Sequence, residues 1–168
     1  MSQKMLAAAL HKTEELRLEE VPVPEINEEE VLIRVKKCGI CGTDPHIFKG
    51  HFPAPLPLIL GHEFSGEVVR VGKNVKTVYI GAKVTADINI SCNKCYFCRM
   101  GQKLLCSSIN QIGVPGSYGT WLQAIDLIKN ERFNSHEIIT KAITFDQIVD
   151  GINDALYNKD VIKIMVEN

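Results

Sequence analysis

Four cysteines within fifteen residues constrain this chain more than any other feature of its sequence: Cys92, Cys95, Cys98 and Cys106. Two residues separate each of the first three, so tight turns can bring three sulfurs together, and the fourth can complete a tetrahedron. Zn²⁺ prefers that geometry, with Zn–S distances near ~2.3 Å. Because four thiolates leave no open coordination position, we expect a structural zinc that stabilises the fold. Two disulfides, or four reduced cysteines in a core, are the alternatives.

The composition limits the classes of function that the chain can have. Its 168 residues, of which 45% are hydrophobic and 23% charged, suit one compact domain or two very small ones. A net charge of −1 gives no overall field that would attract nucleic acid or an anionic membrane. The apolar run at 5–10 is too short for a signal peptide or a membrane span. We therefore expect a cytoplasmic protein in a reducing compartment, where thiolates bind metals more often than they form disulfides.

The order of secondary-structure patterns predicts a mainly β (α+β) fold. Short alternating or apolar runs predict strands at 5–10, 16–21, 31–37, 58–72, 81–87, 120–125 and 161–166. The glycine-rich run at 113–119 predicts a turn-rich loop ahead of the strand at 120–125. One helical face is predicted over 146–157, with Thr144 as its N-cap and Gln147 completing a capping box. Many short strands with turns favour a β-barrel or sandwich core followed by a C-terminal helix and strand.

A second group of candidate ligands follows two of the predicted strands. Cys41 comes after the strand at 31–37 in a glycine-bearing loop, and His62 and Glu63 lie in the strand at 58–72. A thiolate, an imidazole and a carboxylate are all zinc ligands, and three of them leave a position for an exchangeable ligand. Zinc at such a site lowers the pKa of a bound alcohol, which favours hydride release to an acceptor. Each residue taken alone is more often structural than a ligand.

Three motifs in one order resemble the zinc-containing medium-chain alcohol and polyol dehydrogenases, a family that includes sorbitol and threonine dehydrogenases. The run Gly61-His62-Glu63, followed by Gly66, Gly72 and Val75, matches that family's signature. The run Cys41-Gly42-Thr43-Asp44 resembles its first catalytic-zinc segment, and the four-cysteine lobe at 92–106 resembles its structural zinc site. The tail at 138–166 is similar to the family's C-terminal return segment. The resemblance implies a GroES-like β-barrel with a structural-zinc lobe.

The resemblance also implies roles at a catalytic zinc. Cys41 and His62 would bind the metal, and Glu63 would sit beside it as a ligand or through water. Thr43 would place its hydroxyl against the substrate oxygen and pass a proton outward, with His46 as a later relay. Asp44 would orient His62 by accepting its free N–H. Without the resemblance, Thr43 and Asp44 could equally cap a loop.

Other cysteines and histidines have no assigned chemistry. Cys38 matches no ligand of the family, and we expect a small buried residue there. For the remaining histidines we expect surface or packing roles: His11, His51 and His136.

The family joins this catalytic domain to a Rossmann domain that binds the nicotinamide cofactor. Such a domain needs a G-x-G-x-x-G turn, and no two glycines of this sequence are separated by one residue. We therefore expect a single GroES-like domain at 1–168, consisting of an N-terminal part at 1–126 and a return segment at 127–168, from which the cofactor domain has been deleted. NAD(P) would bind only in a full-length parent, and the chain alone would be inactive. A non-catalytic zinc-binding scaffold is the alternative.

Two further expectations follow from a missing cofactor domain. The catalytic zinc would lack a protein ligand and be partly occupied or absent, whereas the cysteine lobe would be fully occupied. The uncovered face of the domain would favour a homodimer. A zinc-ribbon nucleic-acid binder is disfavoured, because the lobe's Lys94, Arg99 and Lys103 are not accompanied by an overall basic excess. The expected small-molecule partner is an alcohol.

Overall fold

A computed structural model describes residues 3–111 and 121–167 of the chain. The strands in these ranges are β1 (Lys4–Lys12), β2 (Glu15–Pro22), β3 (Val31–Ile40), β4 (Leu58–Ile59), β5 (Glu63–Val71), β6 (Lys83–Thr85), β7 (Asn89–Ile90), β8 (Asn110–Gln111), β9 (Ile139–Thr144) and β10 (Lys163–Glu167). The α-helices are α1 (Thr43–Phe48), α2 (Tyr96–Arg99), α3 (Trp121–Lys129) and α4 (Ile148–Tyr157). The predicted mainly β class is confirmed.

The chain divides into two compact units, Met1–Thr85 with Ile139–Asn168, and Ala86–Ile138. The first unit holds a five-stranded sheet in the order β6-β5-β3-β10-β9 and a three-stranded sheet in the order β2-β1-β4. The second unit contains α2, α3 and the short pair β7-β8. None of the helices in the described ranges is long and apolar enough to cross a membrane.

The centre of the five-stranded sheet is β3, which is hydrogen-bonded on both sides. It pairs antiparallel with β5 along one edge and antiparallel with β10 along the other. The C-terminal strand therefore lies directly beside the strand that leads to Cys41. The buried core of this unit draws on both sheets and on α1 and α4: Ala8, Leu10, Ile40, Ile47, Phe48, Ile143, Ile148, Ile152, Ile164 and Val166.

The C-terminal helix begins as the sequence predicts. The Thr144 and Gln147 side chains form a capping box around a 3₁₀ turn at Phe145–Gln147, and α4 follows. Gly151 lowers helix propensity, yet it lets α4 approach the sheet closely. A Cβ at Gly151 would lie 2.5 Å from Ile143 Cδ1 and 2.9 Å from Ile40 Cδ1. The glycine therefore contributes packing that offsets its cost in helix propensity.

Some predicted elements differ from the structure. The strand predicted at 120–125 is wrong over its described part, since α3 occupies 121–129. Its sequence, WLQAIDLIK, is rich in strong helix formers and has no β-branched run, so helix propensity prevails over a short apolar pattern. Residue 120 and the predicted loop at 113–119 lie outside the described residues.

Three further predictions were too long or of the wrong type. The predicted strand at 58–72 is divided into β4 and β5 around Gly61, which has φ +102°. The strand at 81–87 is reduced to β6. The glycine-bearing loop expected at 38–46 is a loop only at Cys41 and Gly42, because β3 extends to Ile40 and α1 begins at Thr43.

Candidate metal centres

The four lobe cysteines lie together in the second unit. Their sulfurs are all within 4.8 Å of one another, and Cys92 Sγ is 3.9 Å from Cys98 Sγ. A tetrahedral zinc with Zn–S near ~2.3 Å requires sulfurs about 3.8 Å apart. A disulfide needs about 2.05 Å, and all six cysteines of the chain are free. The spacing therefore fits a zinc site and not paired disulfides.

Backbone N–H groups point at the sulfurs of the lobe. Cys106 Sγ accepts from the N–H of Cys92 at 3.3 Å and from that of Ser108 at 3.4 Å. The N–H groups of Cys98 and Ser107 lower the pKa of Cys95 to about 5. This donor arrangement stabilises thiolate, the form that binds zinc.

The pKa values of Cys92 and Cys98, whose sulfurs lie 3.9 Å apart, are shifted in opposite directions. Backbone N–H groups of Lys94 and Cys95 lower the pKa of Cys92. Burial raises the pKa of Cys98 to about 11, and its thiol neighbours add to the rise. A metal-free lobe thus keeps a proton at Cys98, and a bound dication would displace it.

Cys41, His62 and Glu63 form a second group in the first unit, with one ligand atom of each within 4.8 Å of the others. Cys41 follows the end of β3, and Glu63 opens β5, with Glu63 opposite Gly39 in the antiparallel register. The pairing of β3 with β5 therefore brings Cys41 together with residues 21 and 22 positions further along the sequence. His62 is buried, Cys41 is half-buried and Glu63 is exposed, so the group faces solvent on its carboxylate side.

Asp44 supports both ends of this group. It is 3% exposed; its Oδ2 accepts the Cys41 backbone N–H at 2.8 Å, and its Oδ1 lies 3.4 Å from His62 Nδ1. The hydrogen bond from His62 to Asp44 raises the pKa of His62 to about 9, against the effect of burial. With Nδ1 held by Asp44, Nε2 lies 3.4 Å from Thr43 Oγ1. Asp44 thus fixes the ring so that Nε2 is the nitrogen left for a metal.

Glu63 has a partner that the sequence analysis missed. Lys163 Nζ lies 2.7 Å from Glu63 Oε2 and donates to the carbonyl of Ile40 at 3.2 Å. Lys163 is the single charged residue in the otherwise apolar run from Val161 to Val166, and that isolation was the available sequence signal.

His46 and Cys38 lie outside the group of three. His46 is exposed on α1, and its ring centroid is 5.9 Å from that of His51. Its role as a relay stays a prediction. Cys38 is half-buried on β3, and burial raises the pKa of its thiol to about 11. The structure thus leaves Cys38 half-buried where a buried residue was expected, and gives it no place among the candidate ligands.

Comparison with known proteins covers the part of the chain that holds both candidate centres. Residues 27–129 match the alcohol dehydrogenase GroES-like domain. The chain belongs to this family. Its resemblance to the N-terminal catalytic domain of zinc-containing alcohol and polyol dehydrogenases is confirmed.

Curated relatives give the extent of the similarity. L-threonine 3-dehydrogenase of Rhizobium etli (strain CIAT 652) is 43% identical over 73% of this chain and 37% of its own length. Sorbitol dehydrogenase of Bacillus subtilis (strain 168) is 37% identical over 74% of this chain and 36% of its own length. The chain thus matches a little over a third of the length of these relatives.

A solved relative extends the comparison to structure. A protein of Sinorhizobium meliloti 1021 assigned as a zinc-binding dehydrogenase, with NADP bound, superposes with a TM-score of 0.63 and 39% identity. The superposition covers 70% of this chain and 34% of that protein.

Proposed function

We propose that this chain is the catalytic domain of a zinc-dependent dehydrogenase that oxidises a secondary alcohol or polyol with a nicotinamide cofactor. The observation that carries the proposal is the group Cys41, His62 and Glu63, with one donor atom of each within 4.8 Å of the others and the Thr43 hydroxyl beside it. A mixed thiolate, imidazole and carboxylate set with a solvent-facing side is typical of a site that takes an exchangeable ligand.

The side chains around this group have distinct roles in the proposal. Cys41 and His62 would hold the zinc, with Glu63 beside it, and the metal would supply a Lewis acid that lowers the pKa of a hydroxyl. Thr43 would accept the hydroxyl proton of the substrate in a hydrogen bond and pass its own proton outward to solvent, with His46 as a later relay. Asp44 keeps His62 in one ring orientation, which its burial and two contacts favour.

The cofactor and substrate classes come from the relatives. The matched proteins include a threonine and a sorbitol dehydrogenase, and the solved neighbour binds NADP. Because the sequence has no G-x-G-x-x-G turn, we propose that the residues of this chain polarise the alcohol, whereas NAD(P) binds to a cofactor domain that the chain does not contain. The chain alone is then inactive in alcohol oxidation.

A non-catalytic zinc-binding scaffold is the second candidate. It is favoured by the sheet topology of the described ranges, where β9 and β10 form the one parallel pair and no doubly wound sheet occurs. Under this alternative the cysteine lobe would be the functional metal site, and the group at Cys41 would bind neither metal nor alcohol.

A cobalt titration separates the two candidates. The chain is first loaded with one equivalent of Zn²⁺ at the cysteine lobe, and Co²⁺ is then added as the second metal. Absorption typical of cobalt–thiolate bonding should appear, should be absent in Cys41→Ser, and should change on adding sorbitol. Thr43→Val keeps the shape of the side chain without its hydroxyl, and should weaken the response to sorbitol. Cobalt absorption that is unchanged in Cys41→Ser would contradict the proposal.

Binding of NAD(P)H to the isolated chain is measured separately by fluorescence titration. We expect no saturable change, and binding or turnover by the chain alone would overturn the proposed inactivity. Self-association and a reducing, cytoplasmic location stay predictions. The exposed apolar residues Ile125, Leu127 and Ile128 of α3 support the first of these.

A further inference from the structure

Glu63 and Lys163 meet over the central strand of the five-stranded sheet, although 100 positions separate them in sequence. Glu63 opens β5 on one side of β3, and Lys163 opens β10 on the other side. The register places Gly39 opposite Glu63 in one pairing and opposite Met165 in the other. The ion pair therefore links β5 to β10 across the C-terminal end of β3, the end that leads to Cys41.

Gly39 provides the space for this pair. A Cβ at that position would lie 2.5 Å from Glu63 Oε2 and 3.5 Å from Lys163 Cδ. Any other residue would push the carboxylate away from its present position, because the carboxylate is the flexible end of the side chain. The backbone carbonyl of Ile40 holds the Lys163 ammonium in place from the strand itself, at 3.2 Å. Three neighbouring strands thus position one carboxylate oxygen.

We propose that Lys163 holds the carboxylate of Glu63 in competition with a metal ion bound at Cys41 and His62. The inference rests on the proposed metal centre at Cys41, His62 and Glu63. A dication held by Cys41 and His62 must draw Glu63 away from, or share it with, the ammonium that now lies 2.7 Å from its Oε2. The C-terminal strand thereby lowers the affinity of the site for metal.

The expected size of the effect follows from the exposure of the pair. The side chains of Lys163 and Glu63 are 26% and 36% exposed, so solvent screens their attraction. For pairs of this kind we expect about a three- to fivefold change in metal affinity on removal of the lysine. Loss of the lysine charge also removes a cation from the neighbourhood of the metal, and that effect has the same sign.

The experiment is a double-mutant cycle on the full chain, with Zn²⁺ loaded at the cysteine lobe and Co²⁺ titrated against a chelator. Lys163→Met should bind Co²⁺ about three- to fivefold more tightly than wild type, and Lys163→Arg, which keeps the charge, should differ by less than about twofold. In a Glu63→Gln background, Lys163→Met should change the affinity by less than about twofold. Lys163→Gln serves as a second neutral variant if Lys163→Met does not fold.

Several results would overturn the inference. Weaker or unchanged Co²⁺ binding in the neutral variants would do so, and so would an equal effect of Lys163→Met with and without Glu63. Cys41→Ser distinguishes this failure from failure of the metal centre itself. If Cys41→Ser binds the second Co²⁺ as wild type does, both proposals fail. If Cys41→Ser abolishes binding and Lys163→Met changes nothing, only the role of Lys163 is lost.

Discussion

The two candidate metal centres of this chain are built in opposite ways. The cysteine lobe takes four donors of one kind from fifteen consecutive residues, and short turns set its geometry. The centre at Cys41 takes three kinds of donor from two strand ends, and its donors contact Asp44 and, from the last strand, Lys163. A local site needs only its own segment to be folded, whereas the second site needs the correct register of β3 and β5. The first is closed and suited to structure, and the second is open and suited to exchange of ligands.

The largest expected effect in this comparison is at the cysteine lobe. Cys95→Ser removes one thiolate from a site whose zinc contributes roughly 10–16 kcal/mol in comparable zinc-finger peptides. We expect zinc binding at the lobe and most backbone hydrogen-exchange protection over 92–106 to be lost. Hydrogen–deuterium exchange followed by mass spectrometry measures the protection in zinc-loaded protein. Cys38→Ala, which removes a cysteine outside the lobe, is the control. Full protection in Cys95→Ser would show that the lobe is stable without its metal.

A second substitution tests whether the two centres are independent. Cys41→Ser should weaken the second metal by about a hundredfold or more, because the remaining imidazole and carboxylate are a poor set for zinc. Zinc at the lobe should be retained, and competition with a chromophoric chelator measures both affinities. Loss of both metals in Cys41→Ser would refute the independence of the two sites.

Asp44→Asn tests the support behind His62. Removal of a partner that orients a metal ligand costs about 10- to 100-fold in metal affinity, and we expect the lower end because the amide oxygen can still accept. The same chelator competition measures it, and an unchanged affinity would contradict the orienting role.

The same substitution has a pH signature in protein that lacks the second metal. Asp44, with a smaller contribution from Cys41, raises the pKa of His62 from 6.5 to about 9, so the pair with Asp44 stabilises the protonated ring in the fold. The stability advantage of wild type over Asp44→Asn is therefore fully present below pH 6.5 and is lost as the pH rises through about 9. Urea unfolding at the two ends of this range measures it, and an advantage that grows with pH would contradict the assignment.

The smallest expected effect concerns Cys38, which lies three positions before Cys41 and outside both centres. Burial raises the pKa of Cys38 to about 11, so about one thiol in a thousand is ionised at pH 8. Alkylation of Cys38 by iodoacetamide should be slow and should accelerate about tenfold per pH unit up to pH 10. Peptide mass spectrometry of zinc-loaded protein measures the rate. Alkylation at pH 8 as fast as that of a free cysteine would place Cys38 in an exposed position.

The sequence predicts the lobe better than the second centre for a physical reason. Spacing alone determines which sulfurs can meet when Cys92, Cys95 and Cys98 follow one another at short intervals. Cys41 and His62 become neighbours only through the register of β3 and β5, which the family motif supplied and the local pattern did not. Lys163 could not be linked to Glu63 from sequence, because the link depends on β10 lying beside β3.

The secondary structure shows the same contrast between features set within one segment and features set by contacts between elements. The capping box at Thr144 and Gln147 was predictable because both groups lie within one turn. A few apolar residues predict a strand at 120–125, although the helix formers of the run at 121–129 favour α3. Gly39 and Gly151 are intelligible only once their neighbours are known, since each leaves room for side chains from other elements.

The central claim is that one centre binds zinc as part of the fold and the other binds it weakly and exchangeably. The most direct measurement is the zinc content per chain after extensive dialysis against a chelator, followed by elemental analysis. We predict one zinc retained per chain, lost in Cys95→Ser and kept in Cys41→Ser. Two tightly held zinc ions per chain, or none, would contradict the account.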